Sequence, residues 1–253
     1  MEFENLNDEL LSKIEASLKF ARTLDRDAEF EIYLAYKTES SVNINQGVVH
    51  ASDGVLAGSA VRVASGTADH KKVSFTSSTG LTQERIKKNI EQSLSLNKSL
   101  TIEDPRFKSF AYPSNESGKE GILCNDILTV TTSDLVPKCT TMIKDAKSVD
   151  SRIKVVEASM EAVSEGFAVG NTNEVQQASR STKSSRYVEA TGIDGDERKV
   201  AYLWEQTREK VMEADGAGEK AANNAVQQFG GKKINETAVL PTIWDNIAAA
   251  CYL

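Results

Sequence analysis

Apolar positions change their period along the chain, and each change marks an element. Leu6, Leu10, Leu11, Ile14, Leu18 and Ala21 fall on one helical face, with Lys13, Glu15, Ser17 and Lys19 elsewhere. After Asp25-Arg26-Asp27 the period drops to two. Phe30, Ile32, Leu34 and Tyr36 face one way, with Glu29, Glu31 and Lys37 among the others, which predicts a half-buried strand. Shorter alternating pieces follow: Val42 and Ile44, then Val61 and Val63, then Val73 and Phe75. Gly47, Gly54, Gly58 and Gly66 punctuate them as turns or bulges. Thr82 reads as the N-cap of a second helix, Leu81 and Ile86 as its hydrophobic staple, and Ile86, Ile90 and Leu94 as its apolar face. The first hundred residues therefore read helix, antiparallel sheet, helix.

From Asn97 to Gly121 the periodicity fails, and Pro105, Pro113 and Gly118 lie among polar residues, as in a linker. A second unit then repeats the grammar. Leu135, Cys139, Met142, Ala146 and Val149 mark a helix, with Pro137 tolerable in its first turn. Val156, Ala158, Met160 and Ala162 alternate against Glu157, Ser159 and Glu161 in a strand. Turns at Ser164-Glu165-Gly166, Gly170-Asn171-Thr172-Asn173 and Asp194-Gly195-Asp196 separate three more strands, the last with Val200, Tyr202 and Trp204 alternating. A helix with Ala221, Ala222, Ala225, Val226 and Phe229 stops at Gly230-Gly231.

Ala238 to Trp244 reads as a strand and Asp245 as the N-cap of a short helix over Ile247 to Ala250. Such a helix is marginal alone, so this end reads as the opening of a third domain whose remainder is missing. A C-terminal helix docked onto the second unit is the alternative. The predicted fold is α+β, with two helix-flanked antiparallel sheet units, a linker and a truncated stub. Its ranges are 1–100, 101–121, 122–231 and 232–253.

Composition narrows the chemistry. The 253 residues carry a net charge of -7, which offers no broad basic footprint for nucleic acid. No apolar run approaches the roughly 20 residues of a membrane span, and the acidic start Met1-Glu2-Phe3-Glu4-Asn5 lacks the form of a signal peptide. Cys124, Cys139 and Cys251 are odd in number and far apart, which suits reduced thiols in a cytoplasmic protein.

Candidate chemistry is sparse. His50 and His70 are isolated, so no zinc-ligand pair exists, and Asp69-His70 reads as a solvated hairpin rather than part of a nucleophilic triad. Asp194-Gly195-Asp196-Glu197 reads as a hairpin turn, not a calcium loop. Gly216-Ala217-Gly218 reads as helix entry, because Glu219 would repel a phosphate there. Cys139 on its apolar helix face reads as a packed thiol. Gln176 to Arg186 carries Arg180, Lys183 and Arg186 among hydroxyls and is polar on both faces. It fits a solvated edge strand, a cavity wall or a surface that pairs with an extended peptide. No catalytic, cofactor-binding or metal residue is assigned.

Several runs together resemble the TldD/PmbA family, often labelled modulators of DNA gyrase and related to zinc metallopeptidases. They are Ala28 to Leu34, Gln46-Gly47, Gly58 to Val63, Lys72 to Ser77 and Leu81 to Glu84. Gly170 to Val175 is similar to the family's Asn-Ser-x-Gly turn, with Asn173 where glycine is usual. Gly230 to Ile234 and Leu240 to Asp245 resemble the entry to the family's C-terminal domain. The resemblance covers the N-terminal half or so of a family member. In the TldD branch a His-Glu-x-x-x-His helix and a later cysteine bind zinc. This chain stops without the histidines, and Cys251 does not match the ligand position. The Asp245 to Ala249 entry is more similar to the PmbA branch, which partners the zinc-bearing subunit. The resemblance implies a non-catalytic N-terminal part or partner subunit of a cytosolic peptidase complex acting on unfolded or extended peptides. It implies a homo- or heterodimer with a TldD/PmbA-type subunit, with any zinc in that partner or in the missing domain. A protein-interaction scaffold with no role in proteolysis is the alternative.

Overall fold

The computed structural model describes residues 3–67, 69–114, 122–232, 237, 239, 241–244 and 246–251. A 3-10 turn, Phe3–Asn5, leads into α1 (Leu6–Leu24), then β1 (Glu29–Asn45), β2 (Val48–Thr67), β3 (His70–Thr79) and α2 (Gln83–Ser99). The chain continues through α3 (Asn125–Thr129), α4 (Thr132–Val149), β4 (Ile153–Asn171), β5 (Gln176–Asp194), β6 (Glu197–Thr207), α5 (Ala217–Val226) and α6 (Asn246–Ala250). The helix faces expected at Leu6, Leu10, Ile14 and Leu18, and at Ile86, Ile90 and Leu94, are buried as read. The Thr82 hydroxyl caps α2 by accepting from the Arg85 amide, and the staple residues Leu81 and Ile86 are both buried.

The α+β character stands, but the six strands form one antiparallel sheet in the order β3-β2-β1-β4-β5-β6 rather than two sheets. The join is a long ladder between β1 and β4, from Glu31 opposite Asn171 to Asn45 opposite Glu157. At its middle Thr38 faces Ser164, and their hydroxyl oxygens lie 2.5 Å apart. Each side of this point is a helix, a three-stranded meander and a helix, related by an approximate two-fold axis through the sheet. The leading helices cross that axis. Leu6 and Ile14 of α1 lie on Gly166 and Gly170 of β4, where an added Cβ would come within 2.4 Å of either side chain. The α4 residues Leu135, Cys139 and Met142 share a core cluster with Val42 and Ile44 of β1. Each core cluster therefore draws residues from both halves, and the halves share one sheet.

Several expected turns are strand interior. Gly54 and Gly58 lie within β2, and Ser164-Glu165-Gly166 lies within β4. Pro137 sits in the second turn of α4, not the first, because the helix starts at Thr132 behind a Thr131–Asp134 capping box. The left-handed residue of the Asn171–Val175 turn is Glu174 (φ 72), so the glycine-demanding position falls one residue after Asn173.

The expected linker is a docked strap over its described residues. The Glu29 carboxylate accepts from Lys71 Nζ (2.7 Å), Ser109 Oγ (2.6 Å) and the Phe110 amide (3.1 Å). Asn171 and Asn173 donate to the carbonyls of Ala111 and Phe110. Gly118 and Gly121 lie outside the described residues. In the expected stub, Val239 and residues 241–244 carry no strand, while Ala238, Leu240 and Asp245 lie outside the described residues. Ala248 and Cys251 line a cavity with Val200, Tyr202, Asn224 and Gln228, so this segment lies against β6 and α5.

Candidate functional site: the open face of the sheet

All the long helices pack on one face of the sheet, so strand alternation assigns the remaining side chains to the other face, which the strap covers at its Glu29 and Asn171 end and which is open beyond it. On β1 these are the odd-numbered residues from Glu29 to Asn45, and on β4 those from Val155 to Asn171. Register then sets side chains in rows across the strands. One row runs His50, Asn43, Ser159, Tyr187 and Trp204; the next runs Ser52, Ser41, Glu161, Ser185 and Gln206. A groove of about 620 Å³ follows these rows, lined by Ser41, Asn43, His50, Ser52, Ser159 and Glu161 among others.

Carboxylates dominate this band, and neutral donors orient them. Glu157 accepts from Asn43 Nδ2 (2.7 Å) and Asn45 Nδ2 (2.9 Å). Glu165 accepts from Ser181 Oγ (3.2 Å), and Glu189 from the Tyr187 hydroxyl (2.8 Å). Lys37 is the counterweight: its bond to Glu39 (2.5 Å), with the charges of Glu39, Glu161 and Glu165, outweighs burial and raises its pKa. Burial, then the bond to Glu189 and the charges of Glu189 and Glu157, raises the pKa of the Tyr187 phenol. It therefore stays a neutral donor throughout the physiological range. Aromatic pairs flank the band, Tyr33 stacked on Phe167 at 5.9 Å and Tyr187 on Tyr202 at 5.9 Å.

The predicted site residues separate. His50 lines the groove, whereas His70 pairs with Glu103 at 2.7 Å and Asp69 with Lys108 at 2.8 Å. Among the described residues no serine hydroxyl hydrogen-bonds to either histidine, and no three His, Cys, Asp or Glu side chains gather as metal ligands. The donor set described does not fit the zinc that the family resemblance implies. Cys139 is fully buried and its thiol is pushed up to about 12 by that burial, a packed thiol as read. Asp194 and Glu197 are paired across a two-residue hairpin turn. Gly216 (φ 65) is the N-cap of α5, and Gly218 lets α5 onto α4: its Cβ would meet the Met142 carbonyl at 2.0 Å.

The Gln176 to Arg186 stretch is not a solvated edge. Thr182 and Ser184 are fully buried, and its arginines are spent on the chain itself. Arg180 donates to the Phe3 carbonyl (2.7 Å) and Arg186 Nε to Glu205 (2.7 Å). Only its odd-numbered residues reach the open face. Sequence reading missed the groove because its residues come from three strands, and pairing register is not written in any one of them.

No family model matches the chain, and no curated protein matches it in sequence. Solved structures do. A protein described as a candidate modulator of DNA gyrase from Bacteroides thetaiotaomicron superimposes with TM-score 0.76 at 16% identity, over 90% of this chain and 52% of its own. Another from Thermotoga maritima gives 0.69 at 15%, over 87% and 50%. TldE from Thermococcus kodakarensis gives 0.69 at 18%, over 85% and 47%. The fold is thus the one that the TldD/PmbA resemblance implied, and the chain spans about half the length of these proteins. No helix among the described residues is long and apolar enough to cross a membrane.

Proposed function

We propose that this chain is the peptide-holding, non-catalytic N-terminal part or partner subunit of a TldD/PmbA-type cytosolic metallopeptidase assembly. The open-face groove carries the reading. An extended peptide laid along it meets acceptors on Glu161, Ser159, Ser41 and Asn43, and these recognise main-chain amides without regard to sequence. The shared fold with TldE and with the gyrase-modulator proteins supports placing the groove in such an assembly. The zinc, its water and its general base belong in this reading to the histidine-bearing partner or to a C-terminal domain. What the chain itself contributes is orientation, through carboxylates already fixed by Asn43, Asn45, Ser181 and Tyr187.

Co-expression with a histidine-bearing TldD-type subunit tests it. A stable complex that cleaves unfolded peptide, and loses that cleavage on Ser159→Arg with the complex intact, is the expected result. Two purified proteins that ignore each other at micromolar concentration would assign the chain to the scaffold reading instead.

A further inference from the structure

The two-fold axis of the sheet makes its halves comparable residue by residue, and at one place they differ. Leu10, Ile14, Ser17 and Ala21 of α1 correspond at a constant offset to Leu135, Cys139, Met142 and Ala146 of α4, all of them buried. Thr38 and Ser164 mark the axis, so Gly170 of β4 corresponds to Ile44 of β1. In the first half, glycine lets the helix come down. Ile14 and Leu18 close on Gly170, where an added Cβ would lie 2.4 and 3.4 Å from them. Arg22 then reaches over the β4–β5 turn and donates to the Thr172 carbonyl (2.7 Å).

In the second half an isoleucine stands at the glycine's place, and a crevice of about 480 Å³ runs between α4 and the β1–β2 turn. Ile44, Val49, Ile143 and Val156 line it, and Val49 is left 48% exposed. Gly47 borders it on open space, since a Cβ added there would meet nothing within 4 Å. The counterpart of Arg22 is Lys147, which also lines the crevice. It makes no hydrogen bond or ion pair among the described residues. Lys154, from the start of β4, is the second cation on the lining and gives one bond, to the Ser151 carbonyl (2.7 Å). Among the described residues no carboxylate lines this crevice, in a chain whose net charge is -7.

We propose that this crevice binds a small amphiphilic carboxylate, an unbranched apolar chain with one carboxylate at its end. The chain lies on Ile44, Val49, Ile143 and Val156, and the carboxylate meets the ammonium groups of Lys147 and Lys154. Size favours a small molecule, since the crevice falls in the lower half of the roughly 300–1,000 Å³ of such sites. A polypeptide strand is disfavoured because β1 is paired on both sides here and offers it no free edge. Ile44 lies between Val49 of β2 and Ala158 of β4. Charge selects the head group. The two lysines come from different elements, each keeps N–H donors unused, and the two oxygens of one carboxylate can accept from both. The same chain without a head group gains burial alone, and an ammonium head is repelled. The crevice lies on the helix-bearing face of the sheet, opposite the groove of Glu161 and Ser159. It therefore goes beyond the peptide-holding reading and does not depend on it.

Calorimetric titration of the full chain with decanoate, beside decylammonium and acetate, tests it. Decanoate should bind once per chain with a dissociation constant of about 100–500 µM, while decylammonium and acetate give no saturable heat. Lys147→Glu combined with Lys154→Glu reverses two exposed charges. It should leave the circular dichroism unchanged and raise the dissociation constant about 10-fold. Val49→Asp sets a carboxylate on the exposed wall of the crevice and should abolish binding. In methyl spectra, decanoate should shift Ile44 and Ile143 and leave Ile86 and Ile90 of the other core cluster in place. Ser159→Arg, which fills the peptide groove, should leave decanoate binding unchanged. No saturable decanoate binding up to about 5 mM overturns the proposal. So does equal binding of decylammonium, or decanoate binding indifferent to the lysine reversals, since either means apolar association without a head-group site. Methyl shifts at Ile86 and Ile90 instead, or binding lost on Ser159→Arg, would place the ligand elsewhere and also overturn it.

Discussion

In the second half of the sheet, α5 meets α4 through alanine and glycine. Ala217, Ala221, Ala222 and Ala225 are all fully buried, and Gly218 lies against the Met142 carbonyl. In the first half, α2 meets the sheet through amides and hydroxyls as well as isoleucines. Asn89, Ser93 and Asn97, at four-residue spacing, are buried and reach the Ser59, Val61 and Val63 carbonyls of β2. The layout is the same and the adhesive differs. Close approach of two backbones rewards dispersion and tolerates no added atom. A polar seam gains little net from each bond, but it costs the full desolvation of whatever is left unmade, so it fixes one register of helix on strand.

The largest break of this comparison is Gly218→Ala. The added Cβ would lie 2.0 Å from the Met142 carbonyl and 2.9 Å from the Ala146 amide nitrogen, both backbone atoms that no rotamer change can move. Thermal or urea unfolding should show a loss of about 3 kcal/mol, at the upper end of overpacking costs. An equal loss from Ala221→Gly would mean that the helix interior, not the interhelical contact, sets the stability of this half.

The seam should break next. Asn97 Nδ2 donates to the Val63 and Lys72 carbonyls, both at 2.9 Å, and its Oδ1 accepts from Ser65 Oγ at 2.5 Å. Asn97→Leu should cost about 2 kcal/mol, because it strands two carbonyls and a half-buried hydroxyl. Asn89 is the weaker stitch: its Oδ1 has no partner among the described residues, while its Nδ2 reaches Ser59 at 3.1 to 3.2 Å. Asn89→Leu should cost less than half as much by the same denaturation assay.

These contrasts also mark what was legible in the sequence. Residues under the helices announced themselves, since Phe30, Ile32 and Leu34, or Val156, Ala158 and Met160, keep a clean period of two into a core. The middle of each long strand did not. Thr38, Ser40, Ser164, Thr182 and Ser184 lie in the strip between the two helix pairs, where the alternation turns polar although the ladder continues. One long strand therefore read as several short ones with turns between them. The seam was invisible for a related reason: Asn89, Ser93 and Asn97 keep helical spacing, but their polarity reads as a solvated face. The groove needed the register between three strands, and the single sheet needed the β1–β4 pairing.

The strap joins the two halves, and acid should loosen it. Burial pushes the Glu29 carboxyl up, but the bonds from Lys71, Ser109 and Phe110 and the Lys71 charge outweigh that and hold it below the ordinary 4.5. A carboxyl whose folded pKa lies below its unfolded value stabilises fully above the unfolded value and stops doing so as pH falls through the folded one. The strap should thus be tight at neutral pH and released on acidification below 4.5. Glu29→Gln leaves the mostly buried Lys71 without its anion and should cost about 1–2 kcal/mol at pH 7. Unfolding midpoints followed down to about pH 3 should show that gap closing. A gap that widens in acid would mean that Glu29 is not what holds residues 109–111.

The smallest effect has the opposite sign. The turn that hands β4 to β5 puts Glu174 in the left-handed region (φ 72), while Asn171 Oδ1 collects the amides of Asn173 (2.9 Å) and Val175 (3.2 Å) around it. A side chain with a Cβ costs roughly 1–2 kcal/mol in that conformation, and glycine avoids it. Glycine gives part of this back by loosening the unfolded chain, by about 0.5–1 kcal/mol. Glu174→Gly should therefore stabilise the protein by about 0.5–1 kcal/mol, read as a small rise in midpoint with the denaturant slope unchanged. The matching turn of the first half has Gln46 (φ 49) followed by Gly47 (φ 81), with glycine already in one of its two left-handed positions. Gln46→Gly should gain a similar amount, since Gln46 carries the same penalty. If Glu174→Gly destabilises while Gln46→Gly stabilises, the Glu174 side chain makes a contact that the backbone penalty does not capture, and the two turns are not equivalent.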